Sequence, residues 1–173
     1  IGSLAMGNNQ GTADTDAFTA GNSVAIGKSA LAGVTSGSNN VAVGSGALAV
    51  NIEGTDNISI GYNSMDAMVG QTGESNIGIS NIGIGTNAMG AVNAGATAGS
   101  QSDYNIAIGE NALFGGEFPS EKDLIGNIAI GYQALDGTTT NAHTGTIAIG
   151  HRALTACTSG LYNTAVGHQS GLA

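Results

Sequence analysis

Branched and small residues alternate in short bursts along this chain, and the same burst recurs from one end to the other. The segments are SLAMG at 3–7, SVAIG at 23–27, NVAVG at 40–44, NISIG at 57–61, NIGIG at 81–85, NIAIG at 105–109, NIAIG at 127–131, TIAIG at 146–150 and NTAVG at 163–167. Ile106 and Ile108 flank Ala107, Val41 and Val43 flank Ala42, and Ile82 and Ile84 flank Gly83. Period two is the mark of a β-strand with two unlike faces. It predicts a strand in each copy, with Val24, Ile26, Val41, Val43, Ile58, Ile60, Ile106, Ile108, Ile128, Ile130, Ile147 and Ile149 turned into the body of the fold. The small residues Ala25, Ala42, Ser59, Gly83, Ala107, Ala129, Ala148 and Ala165 then lie on the opposite face. They suit either a close approach between subunits or a narrow interior within each coil.

Each closing glycine, Gly27, Gly44, Gly61, Gly85, Gly109, Gly131, Gly150 and Gly167, is expected to supply a backbone conformation that other residues avoid, so that the chain turns sharply. Most copies continue with two variable residues, then Ala or Ser, then Leu or Met. Leu31, Leu48, Met65, Met89, Leu113, Leu135 and Leu154 are thereby expected to return to the apolar interior. Asn opens the motif at Asn40, Asn57, Asn81, Asn105, Asn127 and Asn163, where stacked side chains can hydrogen-bond along the fold.

Successive closing glycines, from Gly7 to Gly167, are 20, 17, 17, 24, 24, 22, 19 and 17 residues apart. An α-solenoid needs helical periodicity and a fixed rise, which these segments lack. A short repeated unit with an elastic remainder fits stacked strands and tight turns from which loops bulge. The predicted fold is therefore all-β: a parallel β-solenoid forming a single repeat domain over 1–173, with about nine coils. At about 4.8 Å per coil it would make a rod roughly 40 Å long. The chain opens in mid-motif, which predicts a fragment of a longer fibre. A second NIGIS at 76–80, directly before NIGIG, predicts an extra strand or a bulge.

Composition changes the picture in one respect. The 173 residues include 30 glycines and no tryptophan, and only 4 % are aromatic. Such a chain must bury many small contacts, and a single thin rod gains little area against a conformational cost of about 1–2 kcal/mol per residue. Association of several rods would offset that cost, which predicts a homo-oligomer. The net charge of −9 repels phosphate backbones and anionic headgroups, so neither nucleic-acid binding nor membrane insertion by this segment is expected.

SVAIG-KSALAG at 23–33 resembles the head repeat of trimeric autotransporter adhesins, the YadA-like parallel β-roll. NIAIGYQAL at 127–135, with the Gly- and Thr-rich stretch and TIAIGHRAL that follow, is similar to repeats of bacteriophage tail fibres and related virion appendages. The resemblance implies a left-handed roll, a homotrimer packed about one axis and a part in attachment to a host-surface glycan or protein. Adhesin heads keep a stricter repeat of about fourteen residues, so the uneven spacing favours a virion fibre, with the head of a bacterial surface adhesin as the alternative.

Chemistry-bearing residues are sparse. His151 and His168 follow motif glycines and are expected to stack as exposed turn residues, and His143 sits in a Thr-rich loop. Asp14 and Asp16 lack the later glycine and glutamate of a calcium loop. Glu117, Glu121, Lys122 and Asp123 read as a polar loop, and Cys157 stands alone. No catalytic residue, metal site or cofactor is expected. Recognition is placed in the loops 65–75, 90–104 and 114–125, whose Tyr104, Phe114 and Phe118, with Tyr62, can stack on sugars.

Overall fold

The computed structural model of this chain describes residues 21–34, 36–50, 53–68, 78–92, 101–115, 123–137 and 142–172. The first motif copy at 3–7, Asp14, Asp16, Glu117, Phe118, Glu121, Lys122 and residues 138–140 lie outside them. The strands in chain order are β1 (Val24–Ile26), β2 (Val41–Val43), β3 (Ile58–Ile60), β4 (Ile82–Ile84), β5 (Ser102–Asp103), β6 (Ile106–Ile108), β7 (Leu124–Ile125), β8 (Ile128–Ile130), β9 (His143–Thr144), β10 (Ile147–Ile149), β11 (Gly160–Leu161) and β12 (Thr164–Val166). Eight motif strands form one parallel sheet in the order β1-β2-β3-β4-β6-β8-β10-β12. The two-residue strands form a second, in the order β11-β9-β7-β5. All pairings are parallel and equivalent motif residues face each other, as in Ile82↔Ile106↔Ile128↔Ile147. This is a β-solenoid, and no helix occurs among the described residues.

The second NIGIS is neither a bulge nor a strand where it is described. Residues 78–80 lie in register with the coil corner before each Asn: the Tyr104 amide donates to the Ile79 carbonyl and the Asn57 side chain to the Gly78 carbonyl.

The expectation for the inner face is overturned. Ala42, Ser59, Gly83, Ala107, Ala129 and Ala148 are buried, whereas Val24 and Ile26 are each 46 % exposed and Ile58, Ile60 and Ile108 are also exposed. The small residues therefore face the interior and cannot form the surface between subunits, and the branched residues point outward. The reason is the width of the coil. Ala30, Leu31 and their equivalents fill the interior from the turn, leaving the strand room for little more than a methyl group. At Gly83 even that is excluded: a Cβ there would lie 2.7 Å from the Met65 side chain. Where serines replace alanines, Ser59 donates to the Ser64 carbonyl at 2.8 Å and Ser64 to the Gly83 carbonyl at 3.0 Å, so both buried hydroxyls are satisfied.

Leu31, Leu48, Met65, Met89, Leu113, Leu135 and Leu154 all lie in the core, with φ between 47° and 53°. The left-handed conformation costs about 1–2 kcal/mol per residue, and burying such a side chain contributes about 1.5–3 kcal/mol, so burial wins. The alternating backbone this produces keeps the turn short.

Buried asparagines line one corner of the coil. Each of Asn57, Asn81, Asn105 and Asn127 donates its side-chain amide to the carbonyl oxygen of the asparagine one coil before, at 2.9–3.2 Å. The same amide reaches a backbone carbonyl of the second corner, as from Asn105 to Leu124 and from Asn127 to His143. The series stops at Thr146, whose buried hydroxyl has no partner. Asparagine at this position would find Asn127 before it and, by register, the Gly160 carbonyl beside it. Thr146→Asn is therefore expected to add about 1 kcal/mol of stability, a rise of roughly 2–4 °C in Tm measured by calorimetry.

Candidate functional surface

Three lines of side chains run along the outside of the coil, each fixed by the in-register pairing. The first is the outer face of the large sheet. Val24, Val41, Ile58, Ile82, Ile106, Ile128, Ile147 and Thr164 form one column, and Ile26, Val43, Ile60, Ile84, Ile108, Ile130, Ile149 and Val166 form another. With about 4.8 Å between strands, this apolar strip is roughly 34 Å long. Period two predicted its existence but not its direction. The signal for direction lay in residue size, because only a narrow interior requires Gly83 and Ser59 at the middle position.

The second line follows the motif glycine. Tyr62 lies here, exposed, as do Tyr132, His151 and His168. The rings of Tyr132 and His151 stack with centroids 5.2 Å apart, and those of His151 and His168 with centroids 5.1 Å apart. The expected stacking of the two histidines is observed, extended by a tyrosine. Stacking aligns these rings along the axis and gives them no convergent lone pairs. Among the described residues no group of three His, Cys, Asp or Glu side chains is placed to hold a metal ion.

The third line is the corner immediately before the motif asparagine: Asn22, Asn39, Asp56, Ser80, Tyr104, Gly126, Gly145 and Tyr162, all with positive φ. Asn39 donates to the Asp56 carboxylate at 3.0 Å. Tyr104 is exposed, while Phe114 is half-buried and receives a backbone hydrogen bond from Ala91 through its carbonyl. Tyr62, Tyr104 and Phe114 thus occupy three different columns and form no common patch.

Four titratable groups sit deeper, among them Asp66, whose pKa is raised by burial, partly offset by a backbone hydrogen bond. Asp103 is buried, and burial raises its pKa, partly offset by amide donors from Ile79 and Gly78, with Asp123 raising it further. Asp136 is raised by burial and drawn back by Arg152. His143 is buried on β9, between Leu124 and Gly160 in the register of the second sheet. Neither ring nitrogen meets a partner at normal hydrogen-bond geometry. Burial lowers its pKa, and the Thr158 backbone offsets this only in part.

The lowered pKa has a definite sign. The folded chain holds this histidine neutral, so its contribution is complete above the unfolded pKa of about 6.5 and is lost as pH falls from there toward the lower folded pKa. The raised aspartates act in the opposite direction through their own range. His143→Leu, which copies Leu124 one coil away, is expected to flatten the fall in Tm between pH 7 and pH 5. An unchanged pH profile would contradict the burial of the neutral ring.

Cys157 is half-buried, and its thiol donates to the Ser159 carbonyl at 3.4 Å. No helix among the described residues is long and apolar enough to cross a membrane. Comparison of the chain with family models, with curated proteins and with solved structures finds no match.

Proposed function

We propose that this chain is a non-catalytic structural segment of a virion appendage such as a phage tail fibre, in which three copies pack about one axis and contribute to attachment to the host surface. It works without a cofactor, its partners being its own copies and a host-surface glycan or protein. The observation that carries this reading is the outward-facing strip of β-branched side chains on the large sheet, exposed at Val24, Ile26, Ile58, Ile60, Ile108 and Val166 and half-buried at its other valines and isoleucines. A contiguous apolar strip of this length is unusual on a monomer and marks a contact surface. Its regular period suits identical columns of a second and third copy, and the contact it would make is the heterologous kind that closes into a ring about a three-fold axis. The subunit contact is thereby assigned to the branched residues in place of the small ones. The head of a bacterial surface adhesin would use the same assembly.

The test is the assembly state. Light scattering at micromolar concentration should give three times the chain mass. Ile60→Lys, on the outer face, should give the mass of one chain while the β-type circular dichroism is retained. A wild-type monomer at that concentration would overturn the assembly. A trimer that fails to bind host cells would leave the rod as a spacer.

A further inference from the structure

The apolar strip of the large sheet is too narrow and too uniform to specify an assembly by itself. It is two side-chain columns wide, about 11 Å across a length of roughly 34 Å, and so presents on the order of 400 Å². One partner in a stable interface buries about 800 Å². The contact must therefore spread onto the lines that border the strip. The strip also repeats at every coil, as in Ile82, Ile106, Ile128 and Ile147. A slip of one coil, about 4.8 Å, sets branched side chains against branched side chains again, so the strip leaves the register between copies open.

The bordering lines do not repeat. In each coil the corner residue stands just before the motif asparagine, and the post-glycine residue follows on the far side of the strand. On successive coils these are Asp56 and Tyr62, Ser80 and Thr86, Tyr104 and Glu110, and Gly126 and Tyr132. Backbone hydrogen bonds keep each line continuous, as from Gly126 to Asp103 and from Gln133 to Glu110. Parallel rods packed strip to strip bring the corner line of one copy against the post-glycine line of the next, whereas antiparallel rods bring each line against its own. With parallel rods at equal height, both exposed carboxylates meet an exposed phenol, Asp56 with Tyr62 and Glu110 with Tyr104. A slip of one coil sets Asp56 opposite Ser45 or Thr86 and Tyr104 opposite Thr86 or Tyr132, which loses both pairs. At equal height the exposed Tyr132 faces Gly126, where a Cβ would meet no atom of the described residues within 4 Å. Asp56 already accepts from Asn39 at 3.0 Å, and a carboxylate has further lone pairs for a second donor.

We infer that a seam between the corner line of one copy and the post-glycine line of the next fixes the register of the assembled rods, with equal coils at equal height. In it the Tyr62 hydroxyl donates to Asp56 of the partner subunit, Glu110 accepts from Tyr104 of the partner subunit, and Tyr132 sits over Gly126 of the partner subunit. Hydrogen bonds from a phenol to a carboxylate are charge-assisted and directional, so they supply the specificity that the apolar strip lacks. This rests on the three-copy assembly proposed above and names the residues that set its register.

The test is disulfide cross-linking of the full chain carrying Cys157→Ser, oxidised with glutathione disulfide and read on a non-reducing gel beside light scattering of the unaltered chain. Ser80→Cys combined with Thr86→Cys should give a covalent trimer, because every copy offers one thiol to each neighbour. Within one chain the strand Ile82–Ile84 lies between the two positions, too far for a bridge that needs Cα atoms within about 7 Å. Each single variant should stay a single chain on the gel. Ser80→Cys combined with Ser45→Cys is offset by two coils, roughly 10 Å, and should not cross-link. Gly126→Asn copies Asn22 and Asn39 in the same line, so it should keep its β-type circular dichroism while raising the concentration of half-dissociation about tenfold. Covalent dimers from either single variant would show each line against its own and overturn the seam, as would cross-linking of the offset pair in preference to the level one. A trimer by scattering that neither pair cross-links, or that Gly126→Asn leaves undiminished, would overturn the seam while the assembly stands. A monomer by scattering would overturn the assembly and the seam with it.

Discussion

Gly109→Ala is expected to destabilise the rod by about 3 kcal/mol or more, lowering Tm by roughly 10 °C in a thermal melt followed by circular dichroism. Two effects act together. The residue has φ +133, a conformation that side chains rarely adopt, and a Cβ would stand 2.6 Å from the Gly131 carbonyl oxygen of the next coil. That oxygen is backbone and cannot swing aside, so two coils must separate. The same conflict recurs at Gly27, Gly44, Gly61, Gly85, Gly131 and Gly150, where the clash distance is 2.2–2.6 Å. Gly126→Ala provides the control, having φ +66 and no atom of the described residues within 4 Å of the new methyl. It should cost only the conformational part, about 1–2 kcal/mol. Equal losses at Gly109 and Gly126 would show that coil-to-coil contact contributes nothing at the motif glycine.

Ala107→Asp and Ile108→Asp, one residue apart, should have opposite outcomes. Ala107 is fully buried between Gly83 and Ala129 in the register of β6, so a carboxylate there has neither room nor partner. A loss of about 3–5 kcal/mol is expected, enough to abolish the cooperative transition of a marginally stable chain. Ile108 points outward and is 36 % exposed, so its carboxylate can reach water. The β-type spectrum should survive in that variant, with the loss falling on assembly. If Ile108→Asp unfolded the isolated coil and Ala107→Asp did not, the burial of the small face would be wrong.

The contrast between these two residues marks how far the sequence could be read. Strand positions, parallel stacking, the turn after each glycine and the buried Leu and Met positions all follow from local rules. A period of two needs alternating side chains, and a sharp turn needs a residue without Cβ. The asparagine series was equally legible, because an amide repeated at a fixed place in each coil can bond its own image in the next. Loop positions such as Phe114 carried no such regularity, and the structure places it half-buried, away from the columns of Tyr62 and Tyr104.

Which face of the strand lies inside was not decided by alternation, because reversing every side chain leaves the period unchanged. It was decided by volume across the coil: the Leu or Met returning from each turn occupies the space that a branched strand residue would need. The same distinction governs the corner column before the motif asparagine. The sequence alone gives Tyr104, Gly126 and Tyr162 at uneven separations in the chain, whereas in-register stacking of unequal coils brings them onto one line. The chain by itself determined a stack of strands and turns, because those depend on neighbours in sequence. The tertiary structure determined what the stack presents to its surroundings, because that depends on which volumes fit across the coil and which coils lie one above another.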